Sequence, residues 1–222
     1  MKVYVVIPTY NEAKAIAGIL KRVKAQRVEA AVVIDDGSSD NTAQIAKDSG
    51  AIVLANKQNA GKGASLLKGF DYLLTHGFDA VITMDGDGQH LPEDIPLFLN
   101  YKLPSAIIVG NRMSQTKNMP AIRIITNKFM SWMISGICKQ KIPDTQCGFR
   151  LIRREVLEKI HLESYKYEIE SELLIKAARS GFKINSVDIG TVYAGEKSQI
   201  NPFVDSLRFI RYMIKELWTR KA

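Results

Sequence analysis

The chain has 222 residues, 46% of them hydrophobic and 24% charged, with 31 basic against 23 acidic side chains for a net charge of +8 and a pI near 9.4. These fractions exclude a disordered, collagen-like or low-complexity chain and suit one packed α/β domain. The positive balance favours an anionic partner, and two cysteines, Cys138 and Cys147, are too few for a disulfide framework or a zinc site.

The first element is the apolar run at residues 3–7, which ends at a proline and reads as a buried strand rather than a secretory leader. Runs at 31–34, 52–54, 80–84 and 106–109 are also rich in Val and Ile and lack period-two polarity. That pattern marks strands covered on both faces, as in a parallel sheet. Helical segments are expected between them at 13–25, 42–49, 62–75 and 92–101. Ile16, Leu20 and Val23 recur at helical spacing, as do Leu66, Phe70 and Leu73. The alternation predicts a doubly wound α/β layer with residues 1–110 as its ligand-binding half, 111–200 as a second half and 201–222 as a terminal amphipathic helix.

In such layers ligands bind beyond the carboxyl ends of the strands. Five polar segments fall there: PTYNE at 8–12, DDGSSD at 35–40, NKQNAGKG at 56–63, DGDGQH at 85–90 and GNR at 110–112. Their clustering on one rim is the main functional signal.

The second half differs in charge. Residues 95–143 contain no Asp or Glu and seven bases, Lys102, Arg112, Lys117, Arg123, Lys128, Lys139 and Lys141. Within it, 122–138 sets Phe129, Trp132, Met133 and Ile137 among bases, and 203–218 does the same with Phe209, Met213 and Trp218, as interfacial helices do. The plainer alternative is that both helices cover the sheet and their bases are solvated. The longest charge-free apolar run here, 129–138, is half of what spans a bilayer.

Asp85-Gly86-Asp87 follows a strand and can offer a hard divalent cation one or two carboxylates, with Gln89 as a neutral oxygen and the remaining ligands left to water and phosphate. An EF-hand is excluded because Pro96 stands where its bidentate Glu would be. Asp35 and Asp36, beyond the second strand, can accept from ribose hydroxyls or base N–H groups, and Asp40 is the expected N-cap of the helix at 42–49. Neither a G-x-G-x-x-G turn nor a complete P-loop is present, although a backbone nest at residues 59–63 would suit an anion. Candidate bases are His90, Asp144, Glu168, Glu170 and Glu172, with Glu168 and Glu172 on one helical face and Glu170 off it.

Taken together, PTYNE, VVIDDGSSDNT, NAGKGASLLKGF, MDGDGQH, GNR, DTQCGFRLIRREV and YEIESELLIKAARSGFKI resemble a family 2 glycosyltransferase of the GT-A fold, in the dolichol- and polyprenyl-phosphate mannose synthase-like branch. The resemblance covers nearly the whole chain and lacks the Q-x-x-R-W motif of processive synthases. It implies a Rossmann-like, mostly parallel central sheet flanked by helices, with C-terminal amphipathic helices. It also implies a GDP- or UDP-sugar donor, Mg2+ or Mn2+ and inversion at the anomeric carbon.

Carried over by motif, Pro8, Tyr10, Glu12, Asp35, Asp36, Lys62, Asp85, Gly86, Asp87 and Gln89 bind the nucleotide-sugar, and Asp85, Asp87 and Gln89 hold the cation. Arg112, Arg123 and Arg150 are expected at donor or acceptor phosphates, with Asp87, Arg112 and Arg123 catalytic. A guanidinium fork suits phosphate. The expected acceptor is a polyprenyl phosphate reached at the cytoplasmic face of a membrane, to which the protein attaches peripherally, with room for a membrane-protein partner. A sugar or protein hydroxyl is the alternative acceptor, and a non-catalytic basic membrane-surface module the alternative class. Nucleic acid is not expected, because interleaved surface aromatics and a known motif are missing.

Overall fold

A computed structural model describes residues 1–117 and 119–192. The expected helix at 203–218 therefore lies outside the described residues. Among the described residues seven strands form one sheet: β1 (Val3–Thr9), β2 (Ala30–Asp35), β3 (Ile52–Ala55), β4 (Ala80–Thr83), β5 (Ile107–Asn111), β6 (Arg150–Arg153) and β7 (Ile184–Asp188), in the order β3-β2-β1-β4-β6-β5-β7. β1, β2, β3 and β4 pair in parallel, β6 is antiparallel to both β4 and β5, and β5 pairs in parallel with β7. Six strands thus run one way and β6 alone runs back, giving the mostly parallel sheet that the resemblance implies.

The apolar runs become strands because they are covered on both faces: every residue of β4 and the first five of β1 are buried. Helices α1 (Ile16–Lys24), α2 (Thr42–Asp48) and α3 (Lys62–His76) link the parallel strands. The chain moves outward from β1 to β3 and then returns to β4. Right-handed crossovers therefore place α1 and α2 on one face and α3 on the other. α1 packs with α2, and α3 packs on β1 and β2. The segment expected at 92–101 is broken by Pro96 into a 3-10 turn (Pro92–Asp94) and a short α4 (Ile95–Leu99).

The reversal in direction along the sheet falls between β1 and β4, so a crevice opens between the loops that follow them. Glycine is required there: a methyl on Gly86 would stand 2.7 Å from Thr9 Cγ2 and 3.2 Å from the Pro8 carbonyl. The second half adds α5 (Ala121–Cys138), α6 (Arg154–Lys159) and α7 (Ile169–Arg179), with α5 packed on α7. Because β6 is antiparallel, its amino end, not its carboxyl end, meets the rim. That brings residues 144–150 to the crevice beside the β4 turn.

Candidate active site

The side of the rim formed by the β1 and β2 loops is built from hydrogen bonds between backbone N–H groups and side chains. Asn11 adopts a left-handed conformation (φ 58°), donates its N–H to Ser38 Oγ and accepts from Ser39 N at 2.8 Å, lacing the β1 loop to the β2 loop. Asp40 accepts from Thr42 N at 3.0 Å and Ala13 N at 3.2 Å. The N-cap of α2 is Asn41, so Asp40 caps from one residue further out than expected and also ties in the β1–α1 loop. Glu12 donates its N–H to Thr42 Oγ1 at 2.8 Å, and Pro8 and Tyr10 are half-buried along the same wall.

The two acids after β2 have different environments. Asp36 accepts from Asn56 Nδ2 at 2.8 Å, Ala60 N at 2.9 Å and Gly61 N at 2.8 Å, so its carboxylate shapes the 56–61 loop. Asp35, 4% exposed, accepts from Ser38 N through Oδ2, while its buried Oδ1 has no protein partner. A buried acceptor without a donor is costly unless a ligand completes it.

On the β4 side the carboxylates are matched by side-chain cations. Lys62, the first residue of α3, places Nζ 2.6 Å from Asp85 Oδ1 and 2.5 Å from Glu170 Oε1. Burial opposes charge on Asp85, yet the adjacent Lys62 holds its carboxyl down to about 2. The same two acids overcome the burial of Lys62 and raise its pKa. Asp87 accepts from Gln89 N at 3.0 Å in a tight turn. A groove of about 250 Å³ runs from Asp87 and Gln89 to Gly18 and Arg22 on α1. Among the described residues no three His, Cys, Asp or Glu side chains form a metal cage. Asp85, Asp87 and Gln89 carry oxygens of the kind that a hard cation takes together with water and phosphate.

The arginines separate. Arg112 grips the fully buried Asp144 through Nε at 2.7 Å and Nη2 at 2.9 Å, and its backbone N–H donates to the same carboxylate at 3.1 Å. Its positive charge favours the ionised form of Asp85, behind the larger effect of Lys62. Arg123 is half-buried in the first turn of α5, a turn that contains no acid. Arg150 departs from the expectation of a phosphate contact. It is 1% exposed and donates to the carbonyls of Cys147 (2.7 Å), Glu170 (2.6 Å) and Thr145 (2.9 Å). At the head of a strand flanked by β4 and β5, it ties loops together inside the protein.

None of the characterised candidate bases is poised. Burial pushes His90 down to about 4, and its Nδ1 accepts from Asp85 N at 3.2 Å, so the neutral ring carries its proton on Nε2, toward Cys147 Sγ. Glu172 accepts from the backbone N–H groups of Glu163 (2.9 Å) and Ser164 (2.8 Å) and lies 2.7 Å from Lys176 Nζ. It pins the segment before α7. Glu170, off the face shared by Glu168 and Glu172, is the acid of that helix that reaches the rim. The spacing of 168, 170 and 172 gives the helical phase, but only the tertiary contact with Lys62 shows which phase faces the site.

Comparisons with known proteins bear on the family and the fold. The glycosyl transferase family 2 model matches residues 4–161. The polyprenol monophosphomannose synthase of Mycolicibacterium smegmatis is 33% identical over 199 residues, spanning 83% of this chain and 75% of that protein. The UDP-N-acetylglucosamine–dolichyl-phosphate N-acetylglucosaminyltransferase of Methanococcus voltae is 28% identical over 215 residues, 86% of each. Among solved structures, mannosyl-3-phosphoglycerate synthase from Rubrobacter xylanophilus aligns with a TM-score of 0.79 at 19% identity, over 100% of this chain and 75% of that one. Glucosyl-3-phosphoglycerate synthase from Mycobacterium tuberculosis, solved with Mg2+ and UDP, aligns with a TM-score of 0.69 at 22% identity, over 99% and 79%. At these identities the two structures speak to the fold.

Proposed function

Because the chain belongs to glycosyl transferase family 2, in its polyprenyl-phosphate branch, we propose that this glycosyltransferase moves a sugar from a UDP- or GDP-sugar to a polyprenyl phosphate, with Mg2+ or Mn2+ at the D-G-D turn and inversion at the anomeric carbon. The observation that carries this reading is the pairing of the buried, unpartnered Asp35 Oδ1 on one wall of the rim with the two-carboxylate turn Asp85-Gly86-Asp87 on the other. A nucleoside diphosphate has hydroxyl and N–H donors at one end and charge needing a cation at the other.

In this reading Asp35 accepts from the ribose or base beside Pro8, Tyr10 and Glu12, while Asp36 keeps the 56–61 loop in place around them. Asp85, Asp87 and Gln89 hold the cation next to Gly86, which supplies charge neutralisation for the leaving diphosphate. Arg112, aimed by Asp144, adds a fixed positive charge, and Arg123, at a helix start without an acid, attracts the acceptor phosphate. A phosphate acceptor is already ionised at neutral pH and needs no general base. That suits a site in which His90 is neutral and Asp144, Glu170 and Glu172 each face a cation.

The acceptor end also offers an apolar surface. Ile122, Ile125, Phe129 and Trp132 line one face of α5 and are 69%, 64%, 56% and 72% exposed. Lys128 lies among them, in the stretch without acids. Among the described residues no helix is long and apolar enough to cross a membrane. We read α5 as lying in the lipid interface beside the site, in peripheral contact with the cytoplasmic face.

Thermal shift against UDP-, GDP- and dTDP-sugars with and without Mn2+ tests the donor. One nucleotide should stabilise by about 2.7 kcal/mol at a hundredfold excess over Kd. Asp87→Asn should lose the cation-dependent part, and unchanged cation dependence in that variant would overturn the metal assignment. Flotation with anionic vesicles tests the surface: binding that weakens but persists at high salt is expected, and no binding at low salt would favour a soluble acceptor.

A further inference from the structure

The β4 side of the rim is built around a cation that the chain supplies itself. Lys62 Nζ touches Asp85 Oδ1 at 2.6 Å and Glu170 Oε1 at 2.5 Å, and the lysine side chain is only 17% exposed. Gly148 makes room for this group. A methyl there would stand 2.9 Å from both Lys62 Nζ and Glu170 Oε1, and 3.2 Å from Asp85 Oδ1. Arg150 Nη2 lies 3.6 Å from Glu170 Oε2, so two acids and two bases balance below the turn. Three elements distant in sequence meet here: the start of α3, the β4 turn and the first turn of α7.

This arrangement restricts where a divalent ion can sit. With the lysine removed, the oxygens of Asp85 and Glu170 that now face one ammonium would face each other, a two-carboxylate pocket for a hard cation. With the lysine present, that pocket is filled, and the inner oxygen of Asp85 is already engaged. The ammonium has three N–H donors and directs two of them at these carboxylates, which leaves at most one for a phosphate.

Resting on the glycosyltransferase reading above, we propose that Lys62 is a positioning residue for the cation. It occupies the inner side of Asp85, so that an arriving divalent ion is held outward, toward Asp87, Gln89 and the diphosphate, instead of sinking between Asp85 and Glu170. Gly148 is the steric condition for this, and Glu170 is the second anchor that keeps the ammonium in place. Like charges sharing one carboxylate in a poorly solvated site repel strongly, so deleting Lys62 favours metal binding in the absence of nucleotide while misplacing the ion.

Mn2+ titration of the full chain, followed by its paramagnetic resonance signal, tests this first without nucleotide and then with UDP or GDP. In the parent, Mn2+ alone should bind weakly and nucleotide should tighten it. In Lys62→Met, Mn2+ alone should bind about 10-fold more tightly, the scale on which groups behind a metal ligand act, and the nucleotide enhancement should shrink by a similar factor. Gly148→Ala keeps every charge, displaces the ends of Lys62 and Glu170 and crowds Asp85 Oδ1 less closely, so it should move both quantities in the same direction. Adding Glu170→Gln to Lys62→Met should return the Mn2+-alone affinity toward the parent value. If Lys62→Met and Gly148→Ala leave Mn2+-alone binding unchanged and weaken only nucleotide binding, Lys62 is a phosphate ligand and the inference fails while the functional reading stands. A parent that binds neither nucleotide with Mn2+ overturns the functional reading and this inference with it.

Discussion

Across the crevice the same residue type is stabilised in two different ways. On the β2 side, Asp36 is held by the N–H groups of Ala60 and Gly61, whereas on the β4 side Asp85 is held by the ammonium of Lys62. Backbone donors are fixed in number and place by the loop that carries them, so Asp36 and its loop determine each other's shape. Side-chain charges are held by no single loop, so Asp85 depends on the balance of charge among Lys62, Glu170 and itself. The comparison teaches that a rim carboxylate should be judged by what already satisfies it. The β2 side should respond to substitution through loop shape, and the β4 side through charge.

The largest effect expected is from the arginine that sits on the charged side yet behaves as a structural tie. Arg150→Ala leaves three carbonyls without their donor and Glu170 without its second cation. It should destabilise by about 3–5 kcal/mol, lowering Tm by roughly 10 °C. A variant with parental Tm but lost phosphate affinity would return Arg150 to the rim and break the contrast.

Next in size is the split between the two neighbouring acids. Asp36→Ala should cost about 1–3 kcal/mol of stability and speed amide exchange at Ala60 and Gly61 without any nucleotide present. Asp35→Ala should cost a similar amount of nucleotide affinity with little net change in stability, because it removes a buried oxygen that has no donor together with one that accepts from Ser38 N at 3.2 Å. If both variants lose affinity alone, the 56–61 loop does not depend on Asp36.

The smallest effect concerns pH. Burial works against charge on Glu172, but hydrogen bonds from Lys176, Ser164 and Glu163 outweigh it and hold its carboxyl below the ordinary range. A folded pKa below the unfolded one contributes stability that is fully present above the unfolded value, about 4.3, and is lost as pH falls through the folded value. Urea unfolding from pH 7 to 3 should therefore show a steeper acid decline in the parent than in Glu172→Gln. Equal slopes would mean that Glu172 does not anchor residues 163–164.

Much of the first half is legible in the sequence because its information is local. Apolar runs without alternation gave β1 to β4 within a residue or two, and helical spacing gave α1 and α3. The five rim segments follow from the rule that parallel strands present their carboxyl ends on one edge. The second half is less legible. β6 is a four-residue strand, RLIR, with a charged residue at each end, and nothing in it announces that it runs backward between two parallel strands. That reversal buries Arg150 and carries Gly148 to the β4 turn, neither of which the motif DTQCGFR indicates by itself.

What the sequence determined is therefore the layer, its polar edge and the identity of the carboxylates along it, since strand and helix periods are properties of adjacent residues. What only the tertiary structure decided is which charges meet. Lys62, Asp85 and Glu170 are separated by 23 and 85 residues in the chain, and their ammonium and carboxylates lie within 2.6 Å of one another's partner atom. Ion pairing depends on distance through space and on burial, and neither is set until the strands have paired and the helices have packed.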